Sequence, residues 1–249
     1  MMKITETVKQ LLIINVIFFL GAQFVPAMID FLALYYFENP NFQYWQPLTH
    51  MFMHGGWMHL FFNMFALYSF GSALEHFWGS KKFLFFYISC GLGAALLHSG
   101  VNYFLVHDGI STLVANGFDK QDILALLAEG KYNQGWAQFL SPNALQSMLS
   151  SYNTPAVGAS GAIYGLLVAF AFMFPNAELA LMFIPVPIKA KYFVPGILVM
   201  DLYMGLNGGS IFGGSTGIAH FAHIGGAVVG FLMMWYWKKN QFEQNRWDH

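Results

Sequence analysis

Apolar residues in this chain come in long unbroken blocks rather than in strand-like alternation or a single amphipathic stripe. Six blocks are long enough, at about 16–25 residues, to cross a hydrocarbon layer of ~30 Å as helices. The first lies within residues 8–36, and the others fall at about 57–74, 82–105, 158–175, 191–206 and 219–237. Pro26 and Asp30 blur the end of the first, Pro175 closes the fourth, and Lys238-Lys239 closes the sixth. Two connections are long. Residues 37–56 are amphipathic and carry Phe42, Tyr44, Trp45, Leu48, Met51 and Phe52, a composition that suits a membrane interface. Residues 106–156 form a larger insertion. Within it Asp119 is the expected N-cap of a helix from Lys120 to Glu129, ended by Gly130, and Ser141-Pro142 is the expected start of another. Both helices read as short interfacial elements, not spans. There is no internal repeat and no low-complexity tract.

Composition turns these blocks into membrane segments. The 249 residues are 57% hydrophobic and only 9% charged, against about 25% charged in soluble domains. Such a chain lacks the polar groups to cover its own surface, so lipid is part of its solvent. The net charge of −1 offers no basic surface to nucleic acid. Cys90 stands alone, with neither a disulfide partner nor metal-ligand spacing, and reads as helix packing. Lys3 and Lys9 before Leu11–Leu20 resemble a signal peptide, but no clean small-x-small cleavage site follows, so the segment is expected to stay as the first span. Lys3, Lys9, Lys81, Lys82, Lys189, Lys191, Lys238, Lys239 and Arg246 fall on one side of a six-span chain, and only Lys120 and Lys131 on the other. That bias predicts cytoplasmic termini.

Candidate chemistry lies at the ends of the apolar blocks. Ser160 sits in Gly158-Ala159-Ser160-Gly161, at the mouth of the fourth block. His59 and Asn63, four apart, share one face of the second, where two donors can stabilise an anion or simply bond to a neighbouring helix. His223 opens the sixth block, followed by Gly226 and Gly230. Gly161 and Gly165 form a matching small-residue stripe beside Ser160, so the fourth and sixth helices can approach closely. Both stripes also read as packing seams alone, with His223 a satisfied polar residue.

Together these motifs resemble the rhomboid intramembrane serine proteases. Gly158-x-Ser160-Gly161, the second-span pattern His54-x4-His59-x3-Asn63 and the last-span pattern Ala222-His223-x2-Gly226-x3-Gly230 match in order, and Gly71-x3-Glu75-x3-Gly79 adds a fourth resemblance. The likeness covers the six-span core and spares the long insertion. It implies an all-α polytopic membrane protein, a six-transmembrane-helix rhomboid-like bundle forming a single domain over residues 1–249. It implies a serine endopeptidase that cuts transmembrane protein substrates near the external membrane face, with no cofactor and no metal. Ser160 would be the nucleophile and His223 the general base, a dyad with no acid: no motif positions one, and Asp201 on the fifth span, the only nearby candidate, has no role in the resemblance. Tyr164, one turn from Ser160, resembles the tyrosine that packs on the catalytic imidazole. His59, Asn63 and the Ser160 N–H would hold the oxyanion, and His54 would support that region. A bacterial inner membrane is the implied setting; oligomeric state and physiological substrates stay open. In one departure, the first loop has Trp45-Gln46 where the family often has Trp-Arg, which removes a charge from that loop.

Three rival readings accompany this one. A rhomboid-like protein that binds membrane helices without cutting them would usually lack the serine or the histidine. A metal site built from His50, His54, His59, His220 and His223 lacks the His-Glu-x-x-His motif. A transporter would be expected to show inverted repeats. The Gly- and Ser-rich stretch from Asn207 to Gly217 suits a mobile cap over a water-filled cavity.

Overall fold

A computed structural model describes residues 3–181, 184–207 and 218–241. The chain is mostly helical. Helix α1 (Glu6–Phe24) ends at Val25, just ahead of Pro26, and α2 (Ala27–Leu32) follows, so the first apolar block is two helices rather than one. A short α3 (Gln46–Thr49) and a 3₁₀ turn (His50–Phe52) lie in the first long connection. Helix α4 (Trp57–Ala66) runs through a π-helical turn (Leu67–Gly71) into α5 (Ser72–Trp78). Helix α6 (Ser80–Ala115) is the longest element. After the insertion come α9 (Ser160–Met173), α10 (Ala190–Asn207, with Pro195 inside it) and α11 (Ile218–Gln241). Among the described residues two helices, α1 and α6, are long and apolar enough by length and composition to cross a membrane, and α9 is a shorter apolar helix. Between α9 and α10 stands a β-hairpin that the hydropathy pattern does not predict. Its strands β1 (Glu178–Leu181) and β2 (Ile184–Lys189) pair antiparallel, Glu178 opposite Lys189.

The core that positions the site is the meeting of α6, α9 and α11. Leu67, Leu74, Phe83, Phe86, Tyr87 and Cys90 are buried there with Ala162, Ile163 and Leu166. Glycines set the spacing. A Cβ on Gly226 would lie 1.8 Å from the Gly161 carbonyl oxygen, and one on Gly230 would lie 2.8 Å from the Gly165 Cα. Only hydrogen side chains allow α9 and α11 to pack backbone on backbone.

The insertion starts later than expected, because the preceding helix runs on. Helix α6 does not stop near residue 105; at 36 residues it is about 54 Å long, well beyond the ~30 Å of hydrocarbon. Its last turns present Val106, Ile110 and Leu113 to α7 (Lys120–Ala128), α8 (Pro142–Asn153) and a 3₁₀ turn (Gln134–Gln138). Trp136, Met148, Tyr152 and Leu127 fill this second small core, which also takes in Tyr36 from the first connection. The two helix starts fall where the sequence puts them. The Asp119 carboxylate accepts from the Gln121 and Asp122 N–H groups, and the Ser141 hydroxyl accepts from the Ala144 N–H.

A buried carboxylate locks the opposite end. Glu75 on α5 accepts hydrogen bonds from the Thr7 and Val8 N–H groups at 3.0 and 2.9 Å, and from the hydroxyls of Thr5 and Ser80. The first-turn N–H groups of α1, which no helix satisfies internally, are thus capped by a side chain nearly 70 residues away. Burial opposes the charge, but the bonds from Ser80, Thr5, Thr7 and Val8 outweigh it and hold the carboxyl down at about 2. The stabilisation is therefore complete above the ordinary glutamate range and is lost as pH falls toward about 2. Glu75→Ala should cost about 2–4 kcal/mol, because it also orphans buried donors. A thermal melt of the purified variant at neutral pH checks this; an unchanged Tm would remove the latch.

Candidate active site

Ser160 is the first residue of α9, so its backbone N–H is one of the helix's unpaired donors. The strand leading to it is held in place on both sides of the first connection. Leu34 and Ala156 exchange two backbone hydrogen bonds of 2.9 and 2.8 Å, and the Gly158 N–H donates to the His50 carbonyl at 2.9 Å. Gly158 has φ +126°, a conformation that L side chains rarely adopt, and a Cβ there would stand 2.9 Å from the His59 ring. Glycine thus lets this turn pass directly under an imidazole. Ser160 faces a cavity of about 310 Å³ whose walls include His50, His59, His98, Gly158 and His223. A larger groove of about 580 Å³ runs between α9, α10 and α11, but it is apolar apart from Lys191 and does not include Ser160.

The His223 Nε2 lies 3.0 Å from the Ser160 hydroxyl oxygen. Its ring stacks on Tyr164, with centroids 4.2 Å apart and planes at 9°. Its other nitrogen, Nδ1, lies 3.3 Å from Oδ1 of Asp201 on α10. This corrects the expectation that no acid reaches the imidazole. With Nδ1–H donating to the carboxylate, Nε2 carries the lone pair and accepts from the Ser160 O–H. Asp201 is 6% exposed and also contacts the His220 Nδ1. It was legible only as a carboxylate at costly depth in an apolar run.

His59 and Asn63 share a face of α4 but differ in surroundings. The Gly55 N–H donates to the His59 Nδ1 at 3.3 Å, which leaves the proton on Nε2, the atom that faces Gly158. Asn63 is buried, its amide N–H donates back to the His59 carbonyl at 2.8 Å, and it is not among the residues lining the cavity. His54 is 3% exposed and packs edge-on against His59 at 5.1 Å. Its ring lies beside the Phe52 carbonyl, but neither nitrogen makes a well-formed hydrogen bond among the described residues. Burial pushes both His54 and His50 down to about 4, so both stay uncharged at neutral pH. Gln46, fully buried, accepts from the Tyr35 N–H and donates to the Asn41 and Asp30 carbonyls, so it ties together three backbone positions without a charge. The five-histidine metal set does not assemble. Among the described residues only Asp201, His220 and His223 gather as possible metal ligands. The expected cap lies outside the described residues over 208–217.

The chain matches the Rhomboid domain family over residues 41–118 and 136–240. It belongs to the rhomboid family, membrane proteins with apolar helices. The unmatched stretch between those segments holds α7 of the insertion. Among its relatives, rhomboid protein 1 of Saccharomyces cerevisiae mitochondria is 26% identical over 189 residues, 76% of this chain and 40% of that protein. The human presenilin-associated rhomboid-like protein, also mitochondrial, is 26% identical over 215 residues, 85% of this chain and 42% of that protein. Rhomboid protease AarA of Providencia stuartii is 26% identical over 200 residues, 76% of this chain and 54% of that protein. The chain therefore spans about half or less of the length of these relatives.

Proposed function

We propose that this protein is an intramembrane serine endopeptidase that cleaves transmembrane protein substrates near the external membrane face. The observation that carries the reading is the 3.0 Å approach of the His223 Nε2 to the Ser160 hydroxyl inside a cavity. A serine hydroxyl attacks a carbonyl only when a base takes its proton. Here the base is oriented from two sides, by the Tyr164 stack and by Asp201. His223 accepts the Ser160 proton as the hydroxyl attacks, then returns it to the leaving amine. The acyl-enzyme is released by water, which hydrocarbon does not supply and which would reach Ser160 through this cavity. The tetrahedral oxyanion is held by the Ser160 N–H and the His59 Nε2–H, with Asn63 fixing the turn of α4 below His59.

Six spans and a single domain over the whole chain complete this reading, and the lysine distribution supports cytoplasmic termini. Of the three relatives, two are mitochondrial and the third is a rhomboid protease of Providencia stuartii. Substrates are helices that unwind readily, since a peptide bond inside an intact helix is shielded. The non-cleaving alternative predicts binding without products. A reporter transmembrane substrate reconstituted with the protein in liposomes separates the two by gel. His59→Ala should lower turnover about 10²–10³-fold, the usual cost of one oxyanion donor. Intact substrate with the parent protein, or full turnover by His59→Ala, would contradict the respective assignments.

A further inference from the structure

We propose that Asp201, His220 and His223 form a binding site for a divalent transition-metal ion of the zinc class, and that occupancy switches the catalytic histidine off. His220 and His223 are three residues apart on one face of α11, and Asp201 faces them from α10. One ligand atom from each, a ring nitrogen of each histidine and a carboxylate oxygen, lies within 4.8 Å of the others. Tetrahedral zinc, with ligand bonds of ~2.0–2.1 Å, separates its ligands by about 3.3 Å. Asp201 Oδ1 and His223 Nδ1 already stand at 3.3 Å. A second observation points the same way. Asp201 is buried, and although the Tyr164 hydroxyl lies beside its carboxylate, Oδ2 makes no well-formed hydrogen bond among the described residues. Two imidazoles and a carboxylate suit zinc better than magnesium or calcium, which take oxygen ligands. The imidazoles keep 18% and 19% of their side-chain surface exposed, so an ion has a path in.

Without metal, the two Nδ1–H groups donate to the shared carboxylate oxygen. An entering ion takes the three atoms as ligands, and each imidazole keeps its one proton by moving it from Nδ1 to Nε2. His223 then presents an Nε2–H toward Ser160 in place of a lone pair. A nitrogen that already carries a proton cannot take the serine's, and the serine loses its base. This is the reverse of a catalytic metal: chelators leave the activity intact or raise it. The inhibitory step rests on the proteolytic reading given above; the binding step does not.

The experiment uses the full chain in detergent after EDTA treatment and gel filtration. Cobalt, added as a spectroscopic stand-in for zinc, should produce a saturable visible absorption band at one ion per chain, and calorimetry with zinc should give the same stoichiometry. His220→Gln and, as a second variant, His220→Asn should weaken zinc at least tenfold. Circular dichroism reports whether each variant is folded. Zinc should inhibit reporter cleavage by the parent protein reversibly, and each variant, compared with itself in EDTA, should need at least tenfold more zinc for the same fractional loss. No saturable cobalt band, or undiminished zinc affinity in both folded His220 variants, overturns the site. Saturable binding with undisturbed cleavage overturns the switch alone. A parent protein that binds zinc but never cleaves would speak against the proteolytic reading and leave the site standing.

Discussion

Ser160→Ala should abolish cleavage of a reporter transmembrane substrate, and His223→Ala should match it. On the proposed reading each change removes one half of a proton-transfer pair; the two groups stand 3.0 Å apart. Alanine at 160 leaves no oxygen to attack, while alanine at 223 leaves a hydroxyl with no base. Losses of about 10⁴-fold or more are the measured scale for such pairs, and the double variant should be no worse than either single one, because the two groups act as a unit. Both variants should remain folded. Neither side chain belongs to the apolar cluster that joins α6, α9 and α11, and the glycines that set the helix approach are untouched. Cleavage products resolved by gel, together with an unchanged melting temperature, check the prediction. Turnover at the parental rate by either variant would remove the pair.

Asp201→Asn should lower turnover by about 10²-fold or more while leaving substrate binding in place. The carboxylate does not touch the reacting atoms. It holds the His223 Nδ1–H at 3.3 Å and so keeps the lone pair on Nε2. An asparagine amide can present its N–H₂ instead and stabilise the opposite tautomer, with the proton on the nitrogen that faces the serine. The Tyr164 stack fixes the ring plane but not the tautomer, so it offers only partial compensation. A merely structural role would change KM and Tm together. The positioning role lowers kcat, shifts the acid limb of the kcat/KM pH profile and slows covalent labelling of Ser160. An unchanged pH profile in a folded Asp201→Asn protein would reduce Asp201 to packing.

Much of the site was readable because its motifs have physical causes that do not depend on distant neighbours. Gly158 marks a backbone turn, Gly226 and Gly230 mark a close helix approach, and a histidine beside such a stripe is drawn toward whatever the partner helix carries. Asp119 and Ser141 cap their helices through bonds two or three residues long, and both were legible for that reason. Asp201 escaped because its partners are 19 and 22 residues away, across a turn that no local pattern encodes. The β-hairpin escaped because Pro185 and Pro187 argue against a strand, although a two-stranded ribbon is all edge and tolerates them. The length of α6 escaped because hydropathy fades near residue 105 while the helical stripe Val106, Ile110 and Leu113 continues, turned from lipid to the insertion. The same shift, from bilayer to protein as the burying surface, explains why the insertion helices have a core of their own.

Incubation with a fluorophosphonate probe, followed by mapping of the adduct by peptide mass spectrometry, tests most directly whether Ser160 is a nucleophile. The probe should attach to the Ser160 oxygen in the parent protein, and His223→Ala should leave that serine unlabelled. An adduct on another residue, or equal labelling of Ser160 with and without His223, would contradict the account.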